Sequence, residues 1–148
     1  MKTVNSVSGG KTTMKKTVSK LKKELDKWFS LYIRLRESEE ELCQCFTCGK
    51  VDHYKNMQNG HFQSRRFMAT RYSEDGNCEI QCPKCNIFCG GEQFRFAMNL
   101  DAKYGEGTAQ ELEYLARTIV KFTRVDYEEK IAYYKSTVEK LKNDKGIE

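Results

Sequence analysis

Residues 45–86 read CFTCGKVDHYKNMQNGHFQSRRFMATRYSEDGNCEIQCPKCN. The stretch opens on the knuckle Cys45-Phe-Thr-Cys48 and closes on Cys82-Pro-Lys-Cys85 and Asn86, with 33 residues between the two Cys-x-x-Cys pairs. Each knuckle can place two thiolates on one metal through a tight turn, and two knuckles complete a tetrahedron. Four soft sulfur ligands favour zinc in a closed, structural site. One knuckle alone would suit thiol–disulfide chemistry; a pair at this spacing points to metal. Cys43 competes with Cys45, because it also brackets a loop with Cys48. Cys45 is preferred because it repeats the two-residue gap of the second knuckle. Cys78 and Cys89 are read as buried small hydrophobes.

The whole chain agrees with that reading. It has 148 residues, seven cysteines, two histidines, one proline and a formal net charge of +5. A prior of ~100–200 residues per domain allows one compact domain with a tail. Mean hydropathy is −0.75, and no run approaches ~18 apolar residues, so no membrane-spanning helix is expected. The opening MKTVNSVSGGKTTMKK has no apolar segment of the secretory kind. The expected compartment is therefore a reducing cytoplasm, where clustered thiols bind metal in preference to forming a disulfide framework. The odd cysteine count fits.

Charge is unevenly spread. Residues 1–42 carry a net +4, residues 43–100 a net +2 and residues 101–148 a net −1. This permits a polyanionic partner without demanding one. Residues 1–16, rich in Ser, Thr, Gly and Lys, read as a disordered basic arm. Residues 17–42 read as a helix with an apolar stripe of Val18, Leu21, Leu25, Trp28, Phe29 and Tyr32. The acidic run Glu37–Glu41 reads as its solvated end or a linker. Residues 43–104 form the cysteine-rich core. There, Gly60-His61-Phe62 and Glu79-Ile80-Gln81 suit short strands between turns. A helix follows from Glu92 to Tyr104, with Phe94, Ala97, Met98 and Asp101 in phase and Gly105 as its stop. Residues 105–148 read as helical, with capping boxes expected at Thr108–Glu111 and at Asp126–Glu129 with Asp126 as cap. The apolar stripes at 17–36 and 108–141 could serve as core or as a subunit interface.

The insert between the knuckles carries groups suited to phosphodiester hydrolysis. That reaction needs a base near neutral pH, a divalent cation and groups that hold phosphate. His61 is a suitable base. Asn86 offers a carbonyl oxygen beside a metal-fixed knuckle, a donor type that suits magnesium or manganese. Arg65 and Arg66 can hold phosphate oxygens. Asn77, at a strand-entry turn, can brace the loop that carries the histidine. His53, Arg71 and Lys84 read as surface groups, and Arg34 and Arg36 as either solvated or in contact with a nucleic-acid backbone.

The order His61, Asn77, Asn86 between two Cys-x-x-Cys pairs resembles the HNH, or ββα-metal, nuclease family. More narrowly, Cys45-Phe-Thr-Cys48-Gly-Lys50, Gly60-His61-Phe62, Arg65, Gln81-Cys82-Pro-Lys-Cys85-Asn86 and Gly91 resemble the phage NinG/Rap recombination proteins. So do Phe29–Arg36 and Tyr104-Gly-Glu106, and the likeness spans about residues 18–142. The Cys-x-x-Cys-Asn ending is also similar to that of endonuclease-VII-type junction resolvases, which use that Asn as a metal ligand. The resemblance implies an α+β fold: a zinc-stabilised ββα-metal core flanked by an N-terminal helix and C-terminal helices. It implies a structure-specific DNA endonuclease acting on branched recombination intermediates, of Holliday-junction or D-loop type. His61 would be the base, Asn86 a ligand of a catalytic Mg2+ or Mn2+, Asn77 the brace and Arg65 a phosphate contact. Cys45, Cys48, Cys82 and Cys85 would hold structural Zn2+. Many HNH enzymes carry a metal-binding Asp just before the base; here Gly60 stands there, as in NinG-like sequences. The second protein ligand stays open among Glu74, Asp75, His53 and water. The partner expected is branched DNA, the setting a phage or prophage in a bacterial cytoplasm, and the assembly a homodimer matching a two-fold junction. The alternative is a non-catalytic zinc module that binds nucleic acid or a protein, which would need neither His61 nor Asn86.

Overall fold

The structure is a computed structural model that describes residues 15–148. Most of the expected N-terminal arm lies outside the described residues. The fold is α+β. Helix α1 spans Val18–Arg36, opened by Thr17, whose hydroxyl accepts from the Lys20 amide. It ends well before residue 42. Ser38 turns the chain by donating its hydroxyl to the carbonyls of Leu35 and Glu40, and Glu40 takes a positive φ of 53°. The acidic run is thus a tight turn into the first strand.

Two small antiparallel hairpins follow. Strands β1 (Leu42–Gln44) and β2 (Val51–His53) pair, and their loop carries the first knuckle. Strands β3 (Gln58–His61) and β4 (Cys78–Gln81) pair with His61 opposite Cys78 and Gly60 opposite Glu79. Between them runs a long loop with a four-residue helix, α2 (Met68–Arg71). The second knuckle leaves β4 directly and continues into a wide helical turn at Lys84–Phe88. Hydrogen bonds from Phe46 N to Ile80 O and from Gln81 Nε2 to Thr47 Oγ1 join the two hairpins across the knuckles.

Three helices complete the chain: α3 (Gln93–Tyr104), α4 (Thr108–Ala116) and α5 (Arg124–Lys145). On α3 the buried side chains are Phe96 and Leu100, while Phe94 and Met98 face solvent. The phase is set by Phe46 and Phe62, against which Phe96 packs in a second small core with Ala109 and Leu112. Neither capping box falls where it was expected. Gly107 precedes α4, the Thr108 hydroxyl donates back to Gly105 O, and the Asp101 carboxylate accepts from the Ala109 amide. On α5, Thr123 is the cap and Asp126 is the reciprocating third residue. Leu115 is exposed off the face of α4 that buries Leu112 and Ala116, and Ile119 is exposed because α4 ends at Ala116.

Helix α5 lies along α1 in the same direction: Leu21 and Ile131 share one groove, Phe29 stacks edge-on against Tyr134, and Lys145 reaches Ser38 O. Leu25, Phe29, Ile33 and Val138 are fully buried in this main core, and each contributes about 1.5–3 kcal/mol. Apart from Val18, which is exposed at the start of α1, the stripes of α1 and α5 are thus taken up by packing on each other and on the strands. Glu74 accepts from the hydroxyls of both Tyr32 and Tyr134 and so pins the pair to the β3–β4 loop. No described helix is long and apolar enough to cross a membrane.

Candidate functional site

The metal centre assembles from two elements that start far apart in sequence. The Sγ atoms of Cys45, Cys48, Cys82 and Cys85 all lie within 4.8 Å of one another. Cys48 and Cys82 are 3.7 Å apart, close to the ~3.8 Å edge of a tetrahedron with ~2.3 Å Zn–S bonds. The donor set therefore fits a closed zinc site and could hold such an ion. Cys45 also accepts hydrogen bonds from the Cys48 amide, at 3.5 Å, and from the Thr47 hydroxyl. Burial pushes its thiol up, but these bonds and backbone amides outweigh burial and bring it down to about 6. Cys43 and Cys78 are buried elsewhere and stay outside the cluster. Burial raises Cys43 to about 11, as befits a thiol that stays protonated. Cys89 is exposed, contrary to expectation, because it closes the wide turn at the surface.

Beside this centre lies a groove of about 530 Å³, lined by Asp26, Arg34, Asn59, His61, Arg65 and Asn86 among others. It brings together three of the four expected catalytic residues. His61, the last residue of β3, places Nε2 2.9 Å from the Arg71 carbonyl oxygen. A carbonyl can only accept, so Nε2 carries the proton and Nδ1 keeps the lone pair. Burial pulls the His61 pKa down to about 4, aided by the charges of Arg65 and Arg71, against the opposing Arg71 carbonyl and Asp26. The imidazole is therefore neutral at neutral pH and able to accept a proton at Nδ1.

Asn86 follows the second knuckle. Its Nδ2 donates to Gln58 Oε1 at 2.7 Å, which leaves Oδ1 as the free acceptor at the groove. Asn59 Oδ1 is buried with no hydrogen-bond partner, and Asn59 shares the face of β3 with His61. Asn59 and Asn86 line the same groove, and amide oxygens are donors of the type a hard cation takes. The candidates left open for a second ligand are placed elsewhere. Glu74 is engaged by two tyrosines, Asp75 is exposed, and His53 bonds Glu41 on the first hairpin.

Asn77 does not line the groove. It is fully buried, accepts from the Gln63 amide at 2.8 Å, and donates to the carbonyls of Gln63 and Thr70. It thus ties both ends of the β3–β4 loop together, as a brace would. Arg65 is exposed at the groove edge, 3.8 Å from Asp26. Arg66 projects into an adjoining groove with Gln93.

Besides Asn59, two residues escaped the sequence reading. Arg71 is buried, not a surface charge, because its guanidinium forks onto the Asp26 carboxylate at 3.1 and 2.6 Å. Asp26 was hidden inside a lysine-rich helix, and nothing local in the sequence marks it. Arg34 and Arg36 also turn inward: Arg34 donates to Tyr54 O, and Arg36 to the carbonyls of Glu74 and Cys78.

Residues 7–144 match a family model described as bacteriophage lambda NinG protein. The chain belongs to the NinG family. Searches of curated proteins and of solved structures returned no match. In this NinG-family chain the matched span contains the four cysteines and every residue of the groove named above.

Proposed function

We propose that this protein is a metal-dependent DNA endonuclease of the HNH type that acts on branched DNA in phage recombination, within the host cytoplasm. The observation that carries the reading is His61: its Nε2–H is spent on the Arg71 carbonyl, and its Nδ1 is free in a groove shared with Asn86 and Arg65. A half-buried, neutral, tautomer-fixed imidazole beside a free amide oxygen and an arginine is costly to build for a module that only binds. In the proposed reaction His61 Nδ1 takes a proton from water, which then attacks phosphorus in line with the leaving 3′-oxygen. A divalent cation held through Asn86 Oδ1, with Asn59 as a further donor, would neutralise phosphate charge. Arg65 holds a non-bridging oxygen. Asn77 keeps the histidine loop in register, and the four cysteines, with zinc bound, would tie the Asn86 turn to the β1–β2 loop. A homodimer would present two such grooves to the two symmetric strands of a junction.

The test is cleavage of a four-way junction and of linear duplex, with and without magnesium, by wild type and by His61→Ala. The proposal expects nicks near the branch by wild type in magnesium alone, and a loss of about 100-fold or more in the variant. If both proteins bind the junction and neither cuts it, the non-catalytic zinc module is the right reading. Equal cutting of linear duplex would retain the nuclease and remove the branch specificity.

A further inference from the structure

The catalytic hairpin does not hold its own histidine. The His61 hydrogen bond ends on the main chain of Arg71, the last residue of a four-residue helix. So short a helix has no stability of its own. That carbonyl also accepts from Cys78 Sγ at 3.4 Å, and the Asn77 amide holds the Thr70 carbonyl before it, but both contacts lie within the β3–β4 unit; the tie to the rest of the molecule is the Arg71 side chain, anchored on α1. Nε and one terminal nitrogen of Arg71 bind the two oxygens of Asp26, and the other terminal nitrogen donates to Arg65 O at 2.6 Å. Tyr72 Oη donates to the same Asp26 oxygen at 2.6 Å. The Asp26 carboxylate thus gathers the two residues that end the loop, and Arg71 closes the loop on itself through Arg65. A bidentate carboxylate–guanidinium pair is both strong and directional, and here the arginine is 10% exposed.

We propose that Asp26 is a positioning residue for His61: acting through Arg71, it holds the carbonyl that fixes the Nε2–H tautomer and the ring's orientation. The N-terminal helix is then a working part of the site and not a flanking support. The catalytic meaning of this rests on the nuclease reading, but the positioning itself can be read without any cleavage.

The chain has two histidines, so ring signals in a 1H–15N spectrum are simple to assign, with His53 as the internal control. In wild type the His61 Nε2–H is expected as a slowly exchanging ring proton. Asp26→Asn keeps the size but loses the charge. It should speed exchange of that proton by about tenfold or more, as expected for losing a charge-assisted hydrogen bond, and leave His53 unmoved. Asp26→Glu should restore part of the protection. Arg71→Lys, which keeps the charge but loses the fork, gives a second reading if Asp26→Asn does not fold. Val138→Ala loosens the same α1–α5 packing without touching the pair, so it should leave the ring proton protected. Unchanged exchange in Asp26→Asn, or equal loss in Val138→Ala, would overturn the proposal. A wild-type protein that cuts no DNA but shows the predicted exchange would remove the nuclease reading and leave the positioning role intact. If the nuclease reading holds, Asp26→Asn lowers kcat with KM for DNA little changed.

Discussion

A Cβ at position 60 would lie 2.6 Å from Gln81 Cδ and 2.7 Å from its Cγ. Gln81 is fully buried and donates from one nitrogen to Thr47 Oγ1 and Gly91 O, so it has little freedom to yield. Packing of the two knuckles thus excludes a side chain where many HNH enzymes keep a metal-binding aspartate. Gly60→Ala is expected to cost about 1–3 kcal/mol through overpacking, read by urea denaturation. Gly60→Asp should unfold the core without gaining a ligand. His61 makes a second residue-level prediction. Its folded pKa of about 4 lies below the ordinary 6.5, so between these values the unfolded chain binds the proton and the fold does not. Stability contributed by neutral His61 is complete above pH 6.5 and is lost as pH falls toward 4, by about 3 kcal/mol in all. His61→Gln should lack this part of the acid loss, measured as unfolding free energies of the two proteins across that range.

On α1 the two faces have separate duties. Leu21, Leu25, Phe29 and Ile33 are buried against α5 and the strands, and Asp26, Ser30 and Arg34 reach the groove. Lys20, Lys23 and Lys27 stand exposed on helical spacing, with no ion pair among the described residues. Lys27 and Lys135 flank the Trp28 ring at 4.8 and 5.9 Å, which extends the cationic surface onto α5. If DNA leaves the groove along this face, neutralising the three lysines to glutamine should reduce the slope of log K against log salt by about 2–3. Cleavage at saturating DNA should be little changed. Fluorescence anisotropy over a salt series measures it. Arg34 and Arg36, which lie on the same helix but donate inward, should instead cost stability when neutralised and leave the salt slope unchanged.

Across the molecule, the cysteine cluster is the joint between the first hairpin and the second. Few direct bonds span that joint, so metal loss should open it while the packed α1–α5 pair persists. Chelation is expected to expose the four clustered thiols to a thiol reagent and to lower the thermal midpoint, with much of the far-ultraviolet helix signal retained. Restoring a single zinc per chain, checked by native mass spectrometry, should reverse both changes. Joint loss of all helix signal on chelation would show that the two cores fold as one unit.

The local chemistry of this protein was legible in its residues. Cys-x-x-Cys spacing sets which sulfurs can share a metal, and short polar segments between turn residues set β3 and β4, because both depend on neighbours a few positions apart. Cys45 over Cys43 could be read for the same reason, from the two-residue gap it shares with the second knuckle. Other features depend on contacts across the chain. The burial phase of α3 follows Phe46 and Phe62, the vacancy at position 60 follows Gln81, and the histidine's hydrogen bond follows Arg71 and, 45 residues before it, Asp26. A carboxylate on a lysine-rich helix carries no local mark of its partner. Only packing α1 against the β3–β4 loop brings that charge to Arg71, where two parallel hydrogen bonds make the pairing directional.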